Sequence, residues 1–286
     1  MHYTSIIDSH LHLWDTHQLH YPWLQTIPLL NRSFTFTELN STIASLPIQG
    51  MVFIQAECLH EEALNEIAWV AQLAKKETRL KGIVAYAPLE KNEDMLAYLK
   101  ILKKNSLVKG VRRIIQTEPN RFCLHPTFIE NVNLLSELNL SFDLCVASHQ
   151  LPEVIRLVEQ CPKTKFVLDH LGKPLIAKKE LHPWKDHLTT LSQFDHVWCK
   201  VSGMITEANH AKWHANDLKP YFNHAIESFG FDRVMFGSDW PVLHLAGNYK
   251  NWVNTLYHLV GENREQDLKK LFYENAKKFY KLEFPR

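Results

Sequence analysis

Cysteine is scarce in the 286-residue sequence: five residues, odd in number and scattered, with no C-x-x-C pair. Cys58, Cys123, Cys145, Cys161 and Cys199 therefore suggest neither a disulfide framework nor a cysteine-built zinc site, and a reducing cytoplasm is the expected compartment. Long apolar runs are missing too; none reaches the roughly eighteen residues of a membrane span. The opening MHYTSIIDSHLH has no basic start and no apolar stretch, so no secretory signal is expected, and the N-x-S/T triplets at Asn31, Asn40 and Asn139 read as chance. No block of one charge sign occurs and the formal net charge is +1, which argues against nucleic acid or an anionic membrane as partner. No Gly/Ser-rich linker divides the chain, so residues 1–286 are read as one domain.

What is present is an alternation of strand and helix. Apolar β-like runs recur around Ile6 and Ile7 and at 50–56, 80–89, 108–115, 140–146, 164–170, 196–203 and 233–239. Several lack the in–out alternation of a half-exposed sheet, as expected for parallel strands buried on both faces. Helical patterns lie between them. The stretch 60–76 aligns Leu64, Ile67, Ala68 and Ala71, and 92–105 aligns Met95, Leu96, Leu99 and Leu102. A helix starts at the proline of "LPEVIRLVEQC", and another ends on Gly230. Eight strands in this length predict a (β/α)₈ TIM barrel. The rival doubly wound sheet lacks support, because neither G-x-G-x-x-G nor a Walker-A loop occurs. The long connection 16–39 is a candidate cover for a site.

Barrel chemistry gathers at the C-terminal ends of strands. Polar residues crowd such positions: His10 and His12, Glu57, Arg112 and Arg113, His149, Asp169 and His170, Lys200 and Ser202, Asp239 and Trp240. In "IIDSHLHLWD" (6–15) the residues His10 and His12, two apart on a strand, face one side. Such a pair can grip a metal or a polar substrate, or simply end a strand.

Four motifs in order, "DSHLHLW", "GVRRIIQ", "VLDHLGKP" and "FGSDWPV", resemble the amidohydrolase superfamily, and more narrowly its sugar-lactonase branch of L-fucono-1,5-lactonase and L-rhamnonolactonase type. "YPWL", "QAEC", "HQLP" and "NAKKFY" extend the resemblance over essentially the whole chain. It implies an amidohydrolase-type barrel, with His10, His12, His170 and Asp239 as ligands of one divalent metal. Imidazole and carboxylate donors suit Zn²⁺. Asp239 is then the general base that activates water, and His170 or the metal stabilises charge on the carbonyl. Strand four offers arginines, with Lys109 only at its entrance, so two bridged metals are not expected. A metal-free version, with Asp239 acting directly on water, stays open.

A sugar lactone needs hydrogen-bonding groups and an aromatic surface. Trp14, Trp23, Glu57, Arg112, His149 and Trp240 are the candidate contacts, with Glu57 as a partner for Arg112 and Arg113 as structural. Arg112 is the only basic residue placed securely at the mouth, which favours a neutral sugar. His2, His60, His125, His182 and His258 read as surface or satisfied residues. The outer faces of a barrel leave a homodimer open. Three other functions compete: a metal-dependent decarboxylase, a lactonase for aromatic dicarboxylates, and a non-catalytic sugar- or metal-binding protein.

Overall fold

Each apolar run becomes a strand and each amphipathic stretch a helix, in the expected order. The structure, a computed structural model, describes residues 3–92, 94–261 and 263–284. The strands are β1 (Ile6–Leu11), β2 (Ile48–Ile54), β3 (Leu80–Tyr86), β4 (Val108–Arg112), β5 (Ser141–Leu144), β6 (Lys165–Leu168), β7 (Val197–Val201) and β8 (Val234–Phe236). The helices that follow them are α1 (Phe36–Ile43), α2 (Ala63–Ala74), α3 (Met95–Lys103), α4 (Pro126–Glu137), α5 (Leu151–Gln160), α6 (Trp184–Ser192), α7 (Ala215–Phe229) and α8 (Tyr249–Val260). All neighbours pair in parallel in the order β1 to β8. Beyond β8, a parallel bridge from Leu11 to Trp240 and two bonds, His12 N–H to Trp240 O (2.7 Å) and Asp239 N–H to His10 O (2.8 Å), bring the last strand back to the first. This is a (β/α)₈ barrel.

The apolar core lies in two shells. Ile7, Val52, Ile54, Val84, Val167 and Met235 pack inside the barrel, and Ala276, Phe279, Tyr280 and Leu282 plug its base. Ile6, Met51, Phe53, Ile83, Val111 and Phe142 face outward against the helices. The "NAKKFY" motif supplies that plug. Asn275 anchors it by donating to Phe231 O and Val234 O, both at 2.6 Å.

Two local details differ from simple periodicity. Along β1, Asp8 pairs with Met51 and Leu11 with Phe53, so three residues of β1 oppose two of β2. Strict alternation from the inward Ile7 would turn His10 outward; the extra residue turns it in. On α2 the buried face is Ala63, Glu66, Ile67 and Val70, and Leu64 is exposed. The helix is rotated because Glu66 reaches inward to accept the Ala56 N–H at 3.1 Å, just beyond β2. Burial pushes this carboxyl up to about 8, so it sits there neutral.

Candidate active site

The C-terminal ends of the strands open onto a cavity of about 290 Å³. His12, Arg112, His170 and Asp239 line its inner part, Glu57 and Lys173 stand on its sides, and Trp23, Ile27 and Val242 give it an apolar wall. Trp23 is fixed there by donating its indole N–H to Ala56 O at 2.8 Å. Four of the nine non-glycine residues with positive φ among the described residues line this cavity: Glu57, His170, Lys173 and Asp239, with φ between 51° and 59°. Each such backbone costs of order 1–3 kcal/mol, a strain that concentrates where side chains must be aimed. Gly203 serves the same aim: a Cβ there, at φ +61°, would sit 2.5 Å from His170 Nδ1.

Three imidazoles and one carboxylate converge. His10 Nε2 and His12 Nε2 are 3.2 Å apart, and Asp239 Oδ1 lies 3.7 and 3.4 Å from them. His10, His170 and Asp239 offer ligand atoms all within 4.8 Å of one another. The outer ring nitrogens are committed elsewhere. His12 Nδ1 donates to Ile54 O (2.8 Å), which leaves its Nε2 bare when the ring is neutral. His170 Nδ1 bonds Ser202 Oγ at 2.8 Å, and His10 Nδ1 lies 3.2 Å from Asp169. Burial holds His10 well below its ordinary value and lowers His170 to about 4, so both rings are neutral near pH 7. For Asp239 burial acts upward, but His170, His12 and His10 outweigh it and hold the carboxyl well below the usual range. Imidazole nitrogens and an ionised carboxylate brought this close are donors suited to a shared cation. The donor set therefore fits one divalent ion of the Zn²⁺ type, with each ring oriented by a partner behind it.

Behind His10 runs a chain of fully buried charges. Lys200 Nζ reaches Asp143 at 2.5 Å, Asp169 at 3.0 Å and His10 Nδ1 at 3.1 Å. Tyr280 donates to the same Asp143 oxygen at 2.7 Å, tying the chain to the basal plug. Neither Asp169 oxygen makes a well-aligned hydrogen bond, so Asp169 is held mainly by charge. Burial pushes Asp169 up, yet Lys200 and His10 outweigh it and keep it ionised; Asp143, with burial dominant, rises to about 6.

Some sequence expectations land elsewhere. Trp14 and Trp240 do not face the cavity; both are fully buried. Trp14 donates to Arg32 O, packs edge-on against Trp23 and Phe34, and forms the core beneath the first loop. Trp240 packs on Phe34 and His244. His149 is exposed on a turn after β5 and lies off the cavity. Glu57 is not the partner of Arg112. It accepts from Gln55 Nε2, while Arg112 donates to Gln55 O at 2.6 Å and stands 3.6 Å from Asp169. Arg113 lies one residue past β4, pairs with Glu90 and Glu118, and is structural. Ser202 likewise follows β7 by one residue, and Lys109 sits at the basal end of β4. Lys173 was missed: its backbone turns it into the cavity as a second basic group, a placement that only the quoted "LGKP" hinted at. His60, His125, His182 and His258 are exposed, and His2 lies outside the described residues.

The chain belongs to the amidohydrolase family, whose sequence pattern, described as Amidohydrolase, matches residues 7–282. It is 30% identical to an L-fucono-1,5-lactonase of Burkholderia multivorans over 85% of this chain and 84% of that one. It is 24% identical to an L-rhamnono-gamma-lactonase of Scheffersomyces stipitis, over 97% of this chain and 99% of that one. A zinc-bound crystal structure of an amidohydrolase from Burkholderia multivorans superposes with a TM-score of 0.88 at 28% identity, covering 98% of this chain and 100% of that one. No helix among the described residues is long and apolar enough to cross a membrane.

The ion chain generates a stability prediction. Lys200→Met strands two buried carboxylates, and should lower the unfolding free energy by about 3–5 kcal/mol in urea titrations. A change under about 1 kcal/mol would show that Asp143 and Asp169 are held by other groups.

Proposed function

We propose that this enzyme hydrolyses a sugar lactone, an aldonolactone of the L-fucono- or L-rhamnono- type, by water attack on the ring carbonyl. The observation that carries the reading is Asp239: buried, ionised, and aimed into the cavity beside His12 and a neutral His170. The fucono- and rhamnonolactone names of the relatives support this substrate class. The cavity sits near the lower bound of small-molecule pockets, about 300 Å³, and so suits one sugar ring. Its two basic side chains, Arg112 and Lys173, are balanced by two acidic ones, Glu57 and Asp239, which keeps a neutral substrate favoured although Arg112 is no longer alone.

The residues divide the reaction among them. Asp239 takes a proton from water as its oxygen adds to the carbonyl carbon. The carbonyl π electrons move onto oxygen, giving a tetrahedral oxyanion. Arg112, whose buried Nε has no hydrogen-bond partner among the described residues, and Lys173 are the basic groups available to that charge. As the oxyanion collapses, the bond to the ring oxygen breaks and Asp239 returns the proton to it, leaving an open hydroxy acid. His10, His12, His170 and Asp239 would hold a divalent ion, which when bound supplies Lewis acidity to the carbonyl and lowers the pKa of water.

A second version rests on Arg112 Nη1, 3.5 Å from His10 Nε2. There the guanidinium supplies the positive charge of the centre without a metal. His170 then becomes a donor through Nε2–H, with Ser202 Oγ–H donating to Nδ1.

Asp239→Asn should cut lactone opening, followed as acid release, by at least about 100-fold while the circular dichroism spectrum is unchanged. A few-fold loss would remove Asp239 from the role of base. Because His170 stays neutral down to about 4, kcat/KM should hold level from pH 7 to about pH 5 and decline toward pH 4. A decline centred at 6.5 would mean that an ordinary histidine governs the rate. Chelation followed by metal analysis separates the two versions: loss of activity restored by one Zn²⁺ per chain is expected, and full activity in metal-free protein would favour the guanidinium version.

A further inference from the structure

The net charge of +1 hides an uneven distribution in space. At the base of the barrel, opposite the mouth, the N-terminal ends of β4, β5 and β6 surround a second cavity of about 140 Å³. Five lysines line it: Lys103 from the end of α3, Lys109 from β4, Lys163 and Lys165 at the start of β6, and Lys281 within the basal plug segment. No lining residue among those described is acidic. Among the described residues, none of the five has a carboxylate ion-pair partner, whereas Lys179, Lys269 and Lys270 elsewhere on the surface do. Lys103 and Lys109 are half-buried. Burial, with smaller contributions from Lys109 and Lys281, lowers Lys103 below the ordinary lysine value. Neutral donors complete the wall. Ser141 is buried, and its hydroxyl has only a long 3.5 Å contact with Asp143.

Repelling cations gathered in a concavity destabilise the protein by itself and attract a compact anion. The dimensions decide its kind. A small concave pocket admits a phosphate-sized group, while a duplex or a bilayer would need a flat or grooved basic face. We propose that this basal cavity binds a multiply charged phosphate-type anion, either free pyrophosphate or the phosphate groups of a small phosphorylated molecule. The lysines supply the counter-charge, and Ser141 supplies a hydroxyl donor. Nothing in this proposal depends on the lactone reading.

The test is calorimetric titration of the full chain with pyrophosphate, orthophosphate and ATP, at low and moderate salt. Lys163→Ala/Lys165→Ala is the comparison, since both side chains are exposed and their removal leaves the core intact. Saturable one-site binding of pyrophosphate, tighter than orthophosphate and at least ten-fold weaker in the variant, is the expected result. ATP binding tighter than pyrophosphate supports the proposal and assigns the anion to a phosphorylated molecule; the reverse order assigns it to the free anion. Three outcomes overturn it: no saturable binding at low salt, equal affinity in the variant, or binding of duplex DNA or anionic phosphatidylserine vesicles with none of pyrophosphate.

Discussion

Lys200 carries an ammonium group into the centre of the barrel, where no water reaches it, and sets it between Asp143, Asp169 and His10. Most of what surrounds it follows from that placement. Asp143 and Asp169 would not both remain inside an apolar barrel without a cation between them. With it, Asp169 stays ionised, orients His10 through Nδ1, and leaves Nε2 facing the other imidazoles. Below, Asp143 joins Tyr280 and so ties the basal plug to the same chain. The catalytic mouth and the base of the barrel are thus two ends of one buried polar column.

At the mouth, strain and charge act together. Positive φ at Glu57, His170, Lys173 and Asp239 turns side chains toward one cavity that regular strand ends would send elsewhere. Such backbones persist only when the surroundings over-determine them. Here the fixed Nδ1 partners of the histidines and the glycine at 203 do so. Burial keeps His10 and His170 neutral, and Asp239 stays ionised beside them. A carboxylate acting as base beside neutral nitrogen donors is the charge state that lactone opening requires.

The barrel was legible because its signal is repeated: eight apolar runs and the helical stripes between them leave few architectures. The convergence of His10, His12, His170 and Asp239 was legible because they sit in local motifs at strand ends. The missed details depend on three-dimensional facts that no local pattern carries. Trp14 and Trp240 follow strand ends in sequence, but the first loop folds back and buries them. The pattern suggested that His10 and His12 face one side; that this side is the inside of the barrel depends on a bulge in β1 that alternation does not reveal. Lys173 enters the cavity through a left-handed backbone at a residue that is not glycine. The lysines of the basal cavity come from separate stretches, so a sequence with no basic block still produces a basic patch.

Acid release by the purified wild-type protein tests the central claim most directly, with L-fucono-, L-rhamnono-, D-arabinono- and D-galactonolactones compared side by side. Rapid opening of one or more, well above the uncatalysed rate and with the L-fucono- or L-rhamnono- compound preferred, is the predicted result. No opening of any of them by protein verified to hold its metal would contradict it, the more so if an aromatic acid released carbon dioxide instead.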